Sequence, residues 1–456
     1  MAGLVDLLSI AKSAIQTQQR ALNVTGHNIA NSSTPGYTRQ TLDQTEAVPL
    51  RTPEGFIGRG VTDNGVLSRR DTYLDAAYRA EQGVFGQQDS LHSAITQVQT
   101  LFNEPSDHAL GAALDTLWSG FGDLANDPSS GTARVSVQQD AKQVINQLHT
   151  LDQGLVGATT NATTQFHDTV DRVNVILSQI AGLNAQIIGT HGGADHAGDL
   201  ADQRGALLDE LGTYADIRVL DRTNGAVGVI VGDSLVVDNG VSQTLNVITQ
   251  PGGGLGMQIA GDTKVVSLGT GKLAGLNDVL GKAIPQLQTQ LDTLVSSLVS
   301  TVNTIHRAGT TNGGATNTDF FNPAGVTAAS IALAAPIAAS PANIVTGTTS
   351  ASGDNAIALQ LAALRTTGVA GLGGSTLGDY YSGIVTGLGN TIANADQAAS
   401  ASQVIASGLQ AQRQSETGVS TNEEMIALIE QQQAFSAAAR IVTVANTLMQ
   451  TVLDMV

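Results

Sequence analysis

Residues 1–36 read MAGLVDLLSIAKSAIQTQQRALNVTGHNIANSSTPG. Leu4, Leu8, Ala11, Ile15, Gln18, Leu22, Thr25 and Ile29 recur at alternating steps of four and three. That spacing lays one narrow stripe along a helix, the seam of a coiled coil. Thr34-Pro35-Gly36 ends the pattern, because proline removes an N–H and drives Thr34 out of the helical region while glycine permits a turn. The last stretch mirrors the first: Met425, Leu428, Gln432, Phe435, Ala439, Val442, Asn446, Met449, Leu453 and Val456 again step by three and four. Ser420 or Thr421 is suited to cap that helix, with Glu423 and Glu424 favouring its positive end. The faces opposite both stripes carry Gln, Asn, Ser, Thr and Ala, which suit close packing of copies. Each stripe is expected to find its apolar partner chiefly in other molecules, and the residues expected at that interface are Leu4, Leu8, Ile15, Leu22, Ile29, Met425, Leu428, Phe435, Val442, Met449 and Leu453.

The chain of 456 residues carries 21 Lys+Arg against 39 Asp+Glu, a net charge of -18. Such an acidic chain repels phosphates, and with 3% aromatic residues it offers few rings for base stacking, so nucleic-acid binding is disfavoured. Cys is 0, which removes disulfide and thiolate chemistry. No apolar run approaches the ~20 residues that span a bilayer. Lys12 and Arg20 fall inside the first stripe, and no basic region precedes an apolar one, so no cleavable secretory signal is expected.

The interior changes character several times. Residues 1–36 and 421–456 form the two heptad helices, which assemble together. Residues 37–212 form the first part of a helical rod, opening with a segment (37–70) read as extended or as a hairpin with a tight turn at Asn64-Gly65. Residues 213–272 switch to period two, with Asn224-Gly225 and Asn239-Gly240 as hairpin turns, and read as an inserted β domain. Residues 273–420 return to helix, interrupted by a Thr/Gly/Ala/Ser/Pro-rich insertion at 308–353. The fold class is therefore α+β and multidomain: an elongated helical bundle built from both chain halves, with a small inserted β domain and coiled-coil helices at the ends.

Chemical motifs fail one by one. Ser9 and Lys12 match S-x-x-K, but no companion motif follows. Gly271-Lys272 and Gly281-Lys282 lack the rest of a phosphate loop. His191, Asp195, His196, Asp199 and Asp202 could together hold a divalent ion, although the interleaved glycines favour a solvated loop in which Asp199 caps the next helix. The histidines His27, His92, His108, His149, His167 and His306 read as helix-surface or cap residues, and Trp118 reads as core. No catalytic residue, metal site or cofactor is expected.

Asn28-Ile29-Ala30-Asn31-Ser32-Ser33-Thr34-Pro35-Gly36-Tyr37-Thr38-Arg39-Gln40 resembles the N-terminal signature of bacterial flagellar rod, hook and hook-associated proteins. His27 before it and Arg39-Gln40 within it are similar to the version in the hook-associated protein 1 (hook–filament junction) family. Stretches at 55–61, 126–134, 199–211, 353–355 and 418–440 fit the same family, so the resemblance covers about residues 1–220 and 353–456. Asn28, Ile29, Ala30, Asn31, Thr34, Pro35, Gly36 and Tyr37 carry the family motif. Trp118-Ser119-Gly120-Phe121 departs from the paired aromatics common there, a packing difference. The resemblance implies a non-enzymatic structural subunit of the bacterial flagellum. It would be exported through the flagellum's own type III apparatus and would self-assemble into a ring of copies. Its implied partners are the hook protein, the second hook-associated protein and a cytoplasmic export chaperone at the C-terminal region, with no nucleic acid and no membrane insertion. The competing readings are another flagellar axial subunit, a type III secreted helical effector or adhesin, and a metal hydrolase in the 191–202 loop.

Overall fold

The computed structural model describes residues 2–52, 55–190, 197–251 and 253–454. Helix α1 spans Ala2–Asn31. Strands β1 (Gln40–Glu46) and β4 (Val61–Ser68) form an antiparallel pair, Gln40 facing Ser68 and Glu46 facing Val61. Between them β2 (Leu50–Thr52) and β3 (Gly55–Ile57) form a second, short ribbon. The tight turn expected at Asn64-Gly65 is instead a bulge inside β4: the register shifts between Asp43 and Gln44, and Gly65 has φ 117. A bulge asks for the same glycine freedom as a turn, so the dipeptide alone could not separate them.

The trunk consists of long helices. These are α2 (Thr72–Phe102), α3 (Leu110–Asn126), α4 (Gly131–Gly189), α5 (Ala197–Tyr214), α6 (Lys272–Asp278) and α7 (Ile284–Arg307). Helix α6 runs into α7 through a π-helical turn, Val279–Ala283. Two short helices, α8 (Ala335–Ala339) and α9 (Ala356–Ala363), precede the 41-residue α10 (Leu377–Thr417). Helix α11 closes the order at Thr421–Asp454. With 59 residues, α4 runs ~90 Å at 1.5 Å per residue and sets the length of the trunk. Val144, Leu148, Leu151, Leu155, Val173, Ile176, Ile180 and Ile187 bury its apolar face, as their spacing requires. Helix α10 packs along α2, so late sequence lies against early sequence.

The β insertion holds a four-stranded sheet in the order β5-β6-β7-β8 and a three-stranded sheet in the order β11-β10-β9. Strands β5 (Ile217–Asp221), β6 (Val227–Val231), β7 (Ser234–Asp238) and β8 (Val241–Ser242) are antiparallel neighbours, with Gly225 (φ 81) and Asn239 (φ 51) in the connecting turns. Strands β9 (Leu245–Thr249), β10 (Leu255–Ile259) and β11 (Val265–Val266) follow.

Residues 308–353 fold onto α3, α4 and α7 around buried Phe320, Phe321, Ile331, Ile337, Ile344 and Val345. Phe121 meets Phe320 at 5.4 Å between ring centres, and Trp118 stacks near Phe121 in the same core. His306 corrects its reading as a surface or cap residue. It is fully buried, with Nδ1 2.6 Å from the Thr318 carbonyl while Nε2 accepts from the Val345 N–H at 2.9 Å. One ring thus ties both ends of the insertion to α7. No described helix is long and apolar enough to cross a membrane.

Candidate functional site: the joint between the end helices and the trunk

Helices α1 and α11 pack antiparallel on each other within one chain, and α1 also leans on β1 and β4. Small residues occupy the line of contact: Ala11, Thr17, Ala21 and Thr25 on α1, and Ala438 and Ala445 on α11, are all buried. The larger seam residues sit beside it. Leu4, Leu8, Ile15, Leu22 and Ile29 are half-buried, as are Leu428, Phe435, Val442 and Met449. Met425 and Leu453 lie outside the contact, 51% and 71% exposed. The buried line shares Ala11 and Thr25 with the expected stripe but adds Thr17 and Ala21, so at about 100° per residue its centre is turned roughly 70° from the stripe's. Two neighbours rather than one cover that helix, and small side chains let the backbones approach. Within one chain the inner faces of the two helices fill each other, while the stripes' larger residues stay partly open.

An apolar row remains open on α11. Ile426, Ile441, Val444, Leu448 and Val452 are 38% to 60% exposed and lie on a flank of the pair about a quarter-turn from its seam.

The motif residues build the joint where this pair meets the trunk. Asn28 is 1% exposed. Its amide nitrogen donates to the Gln40 carbonyl at 2.8 Å and to Glu424 Oε2 at 3.0 Å. Its amide oxygen accepts from the Tyr37 hydroxyl at 2.8 Å and from the Gln40 N–H at 3.0 Å. One side chain therefore clasps α1, the first strand and α11. Pro35 and Gly36 (φ 80) turn the chain so that Tyr37 folds back over α1, where its hydroxyl lies 3.0 Å from His27 Nδ1. Burial, then the charges of Asp199, Asp202 and Glu424, push the Tyr37 phenol above its ordinary range and keep it a donor. Asn31 donates to the His27 carbonyl and accepts from the Thr34 hydroxyl, closing the end of α1. Ile29 is half-buried, and Ala30 faces solvent.

Glu424 is the residue the sequence undervalued. It reads as a first-turn charge, yet it is 2% exposed. Arg39 Nε donates to its Oε1 at 2.6 Å, and Asn28 holds its other oxygen. A partner 396 positions away in the chain leaves no local signal. From the trunk side, Asp202 accepts from the Thr38 amide at 2.9 Å and hydroxyl at 2.6 Å, and Asp199 accepts from Gln40 at 2.8 Å. Burial raises the Asp202 carboxyl, against the Thr38 hydrogen bonds and Arg70, which lower it. Deeper in, Asp75 and Asp209 pair with Arg79 and with Arg413 of α10, binding α2, α5 and α10 together.

Arg204 and Asn184 carry the connection to the β insertion. Arg204 donates to Asn184 Oδ1 at 2.8 Å and to the Gly225 carbonyl at 3.0 Å, and Asn184 donates to the carbonyls of Val227 and Asn239. Burial, with the nearby Arg70 charge next, lowers the Arg204 pKa to about 10, which leaves it charged at neutral pH. Among the described residues no cluster of His, Asp and Glu could hold a metal. Of the loop considered for a metal, His191, Asp195 and His196 lie outside the described residues, while Asp199 and Asp202 are committed to the joint.

The comparisons with known proteins divide along the same lines. A family model described as the helical domain of flagellar hook-associated protein FlgK matches residues 95–321. The flagellar hook-associated protein 1 of Bacillus subtilis is 30% identical, over 98% of this chain and 97% of that protein. The chain belongs to the flagellar hook-associated protein 1 family. It is a structural, axial component of the bacterial flagellum at the hook–filament junction. The Escherichia coli hook-associated protein 1 is 24% identical over 69% of this chain and 60% of that protein. The flagellar hook junction protein FlgK of Burkholderia pseudomallei has the same fold, with a TM-score of 0.66 at 15% identity over 76% of this chain and 100% of that one. A rod-protein model matches residues 8–38, and the C-terminal model of the FlgE, FlgF and FlgG rod proteins matches 410–455. Those two matches contain Asn28 and Glu424, the two sides of the joint. Hook-associated protein 1 similarity also runs through the β insertion, further than residues 1–220 and 353–456.

Proposed function

We propose that the chain builds the junction by self-assembly into a ring, with the α1–α11 pairs of neighbouring copies packed side by side. In this reading residues 1–36 and 421–456 form the assembly unit, 37–212 and 273–420 the rod, and 213–272 a β domain on its outer side. Leu4, Leu8, Ile15, Leu22, Ile29, Met425, Leu428, Phe435, Val442, Met449 and Leu453 line or flank the contacts. The observation that carries this is the open apolar row on α11: its inner face is satisfied within the chain, and an exposed stripe of Ile, Val and Leu has large area to lose from water.

The ring takes hook protein on one side and the second hook-associated protein on the other. The same open row gives an export chaperone a surface to hold in the cytoplasm, before the chain leaves through the flagellar type III apparatus. No catalytic group or cofactor takes part. The test is a strain lacking this chain. Hooks that form normally while filament subunits are shed into the medium support the reading. Normal filaments on those hooks refute it.

A further inference from the structure

Arg134, in the first turns of α4, is a buried charge without a countercharge; it is 3% exposed. Its guanidinium donates only to neutral oxygens. These are the carbonyls of Pro128 at 2.8 Å and of Ile344, the Thr346 hydroxyl at 3.3 Å and the Asn312 amide oxygen at 3.3 Å. Among the described residues no carboxylate pairs with it, and burial lowers its pKa unopposed. The positive end of the α4 dipole lies close by and adds repulsion. A guanidinium so placed favours negative charge on its acceptors. Of the four, only the Asn312 side chain can become a carboxylate with the backbone left intact.

Asn312 is followed by glycine, at the tip of a closed turn. The Gly314 N–H donates to the Thr311 carbonyl at 2.8 Å, and Thr311 and Ala315 are bonded across the base. Asn312 and Gly313 are exposed, and among the described residues nothing accepts the Gly313 N–H. Gly313 places no side chain between its own nitrogen and the Asn312 Cγ. The other Asn-Gly pairs, at 64–65, 224–225 and 239–240, are arranged differently. Gly65 is buried, with the Asn64 amide on the Asp43 carboxylate. The Gly225 N–H is bonded to the Arg222 carbonyl, and the Asn239 oxygen accepts from the neutral Asn224 amide.

We infer that Asn312 is a self-modification site, converted to aspartate through a succinimide with Arg134 as donor to the oxyanion. The Gly313 nitrogen gives its proton to solvent and attacks Asn312 Cγ. The electron pair of the C=O bond moves onto Oδ1, where Arg134 Nη2 already donates. A preorganised donor at the site of developing charge lowers the barrier, and the contact shortens as the charge grows. The Cγ–Nδ2 bond then breaks and the nitrogen leaves as ammonia, closing the ring. Arg134 still polarises the Cγ carbonyl, so water adds there, the bond to the Gly313 nitrogen breaks, and that nitrogen regains its proton. The sum is amide plus water giving carboxylate plus ammonium. It happens once per chain and is not turnover. The product carboxylate faces Arg134 from the exposed side, adding attraction to a charge already desolvated, and ties the 308–353 insertion to α4.

The full-length chain is held at mildly alkaline pH, native or in urea, and acid at each Asn-Gly pair is followed by peptide mass spectrometry. In the native chain Asn312 should convert first, roughly tenfold faster than in urea, and mainly to aspartate. The other three pairs should convert more slowly in the native chain than in urea. Conversion at 312 no faster in the native chain than in urea, or isoaspartate as its main native product, overturns the role of Arg134. Gly313→Ala has room for its methyl, the nearest atom being the Thr311 hydroxyl oxygen at 3.8 Å. It should fold as the parent does and lose conversion at 312; conversion at the parent's rate overturns the assigned nucleophile. Asn312→Asp should melt above the fresh parent and with the aged one, and a Tm at or below the fresh parent's overturns the tie to α4.

Discussion

Asn28→Ala strikes the joint at its centre. The substitution deletes two donated and two accepted hydrogen bonds at a position 1% exposed. Glu424 keeps Arg39, and the Tyr37 hydroxyl keeps His27 within reach, so those two are partly compensated. The Gln40 N–H and C=O, on a residue 4% exposed, lose their partner outright. Each unsatisfied buried group costs ~1–3 kcal/mol. Water entering the vacated space repays part of that, so the expected loss is about 2–4 kcal/mol. The trunk's own core does not use Asn28, and the loss falls on the docking of the α1–α11 pair. Amide hydrogen exchange on the full-length chain is the assay. The first turns of α11 and the last turns of α1 should exchange roughly 30- to 700-fold faster, since 1.4 kcal/mol is tenfold. Amides of α4 should be unchanged. An acceleration below about threefold at both helix ends would show that the clasp holds nothing and would refute the reasoning.

Three further outcomes follow from the same contacts. His306 is neutral in the fold, with burial first among the causes holding its pKa at about 4 against an ordinary 6.5. Its contribution is complete above pH 6.5 and is lost as pH falls through the folded value, because the unfolded chain takes up the proton first. Urea titrations should show about 3 kcal/mol lost between pH 7 and 4 from this group at 1.36 kcal/mol per pH unit, and a smaller loss in His306→Leu; equal losses in both would contradict it. Gly275→Ala should destabilise the trunk by ~1–3 kcal/mol despite alanine's better helix propensity, since a methyl there would overlap the Gln87 carbonyl and the Ser90 hydroxyl; an unchanged or raised Tm would count against this close approach of α6 to α2. Leu22→Asp and Phe435→Asp, both half-buried beside the seam, should leave the trunk's melting intact and prevent incorporation into junctions, read by filament length on the cells.

Periodicity made the helices legible. The 3.6-residue spacing from Val144 to Ile187 and the period-two runs from Ile217 onward need only local sequence, and local sequence is where those signals live. The motif from Asn28 to Gln40 was legible as a unit, and the fold explains it: turning at Gly36 lets Tyr37 and Gln40 return to Asn28. What stayed hidden depends on partners far away in the chain. Glu424 looks like any acidic first-turn residue until Arg39 and Asn28 are beside it. His306 looks like a surface histidine until Thr318 and Val345 close around its ring. The facing of the end helices was not legible either. A heptad pattern gives a stripe, whereas the buried line followed the alanines and threonines that let two neighbours approach α1.

The central claim is that the open flank of α11 is filled by other copies at the junction. Single thiols at Ile426→Cys and Leu448→Cys, with Val404→Cys on α10 (73% exposed) as a reference, allow a direct measurement of maleimide labelling in the soluble chain and in isolated junctions. The expected result is rapid labelling of all three in the soluble chain, and loss of labelling at 426 and 448 relative to 404 in the junction. Equal labelling of 426 and 448 in both states would contradict the account.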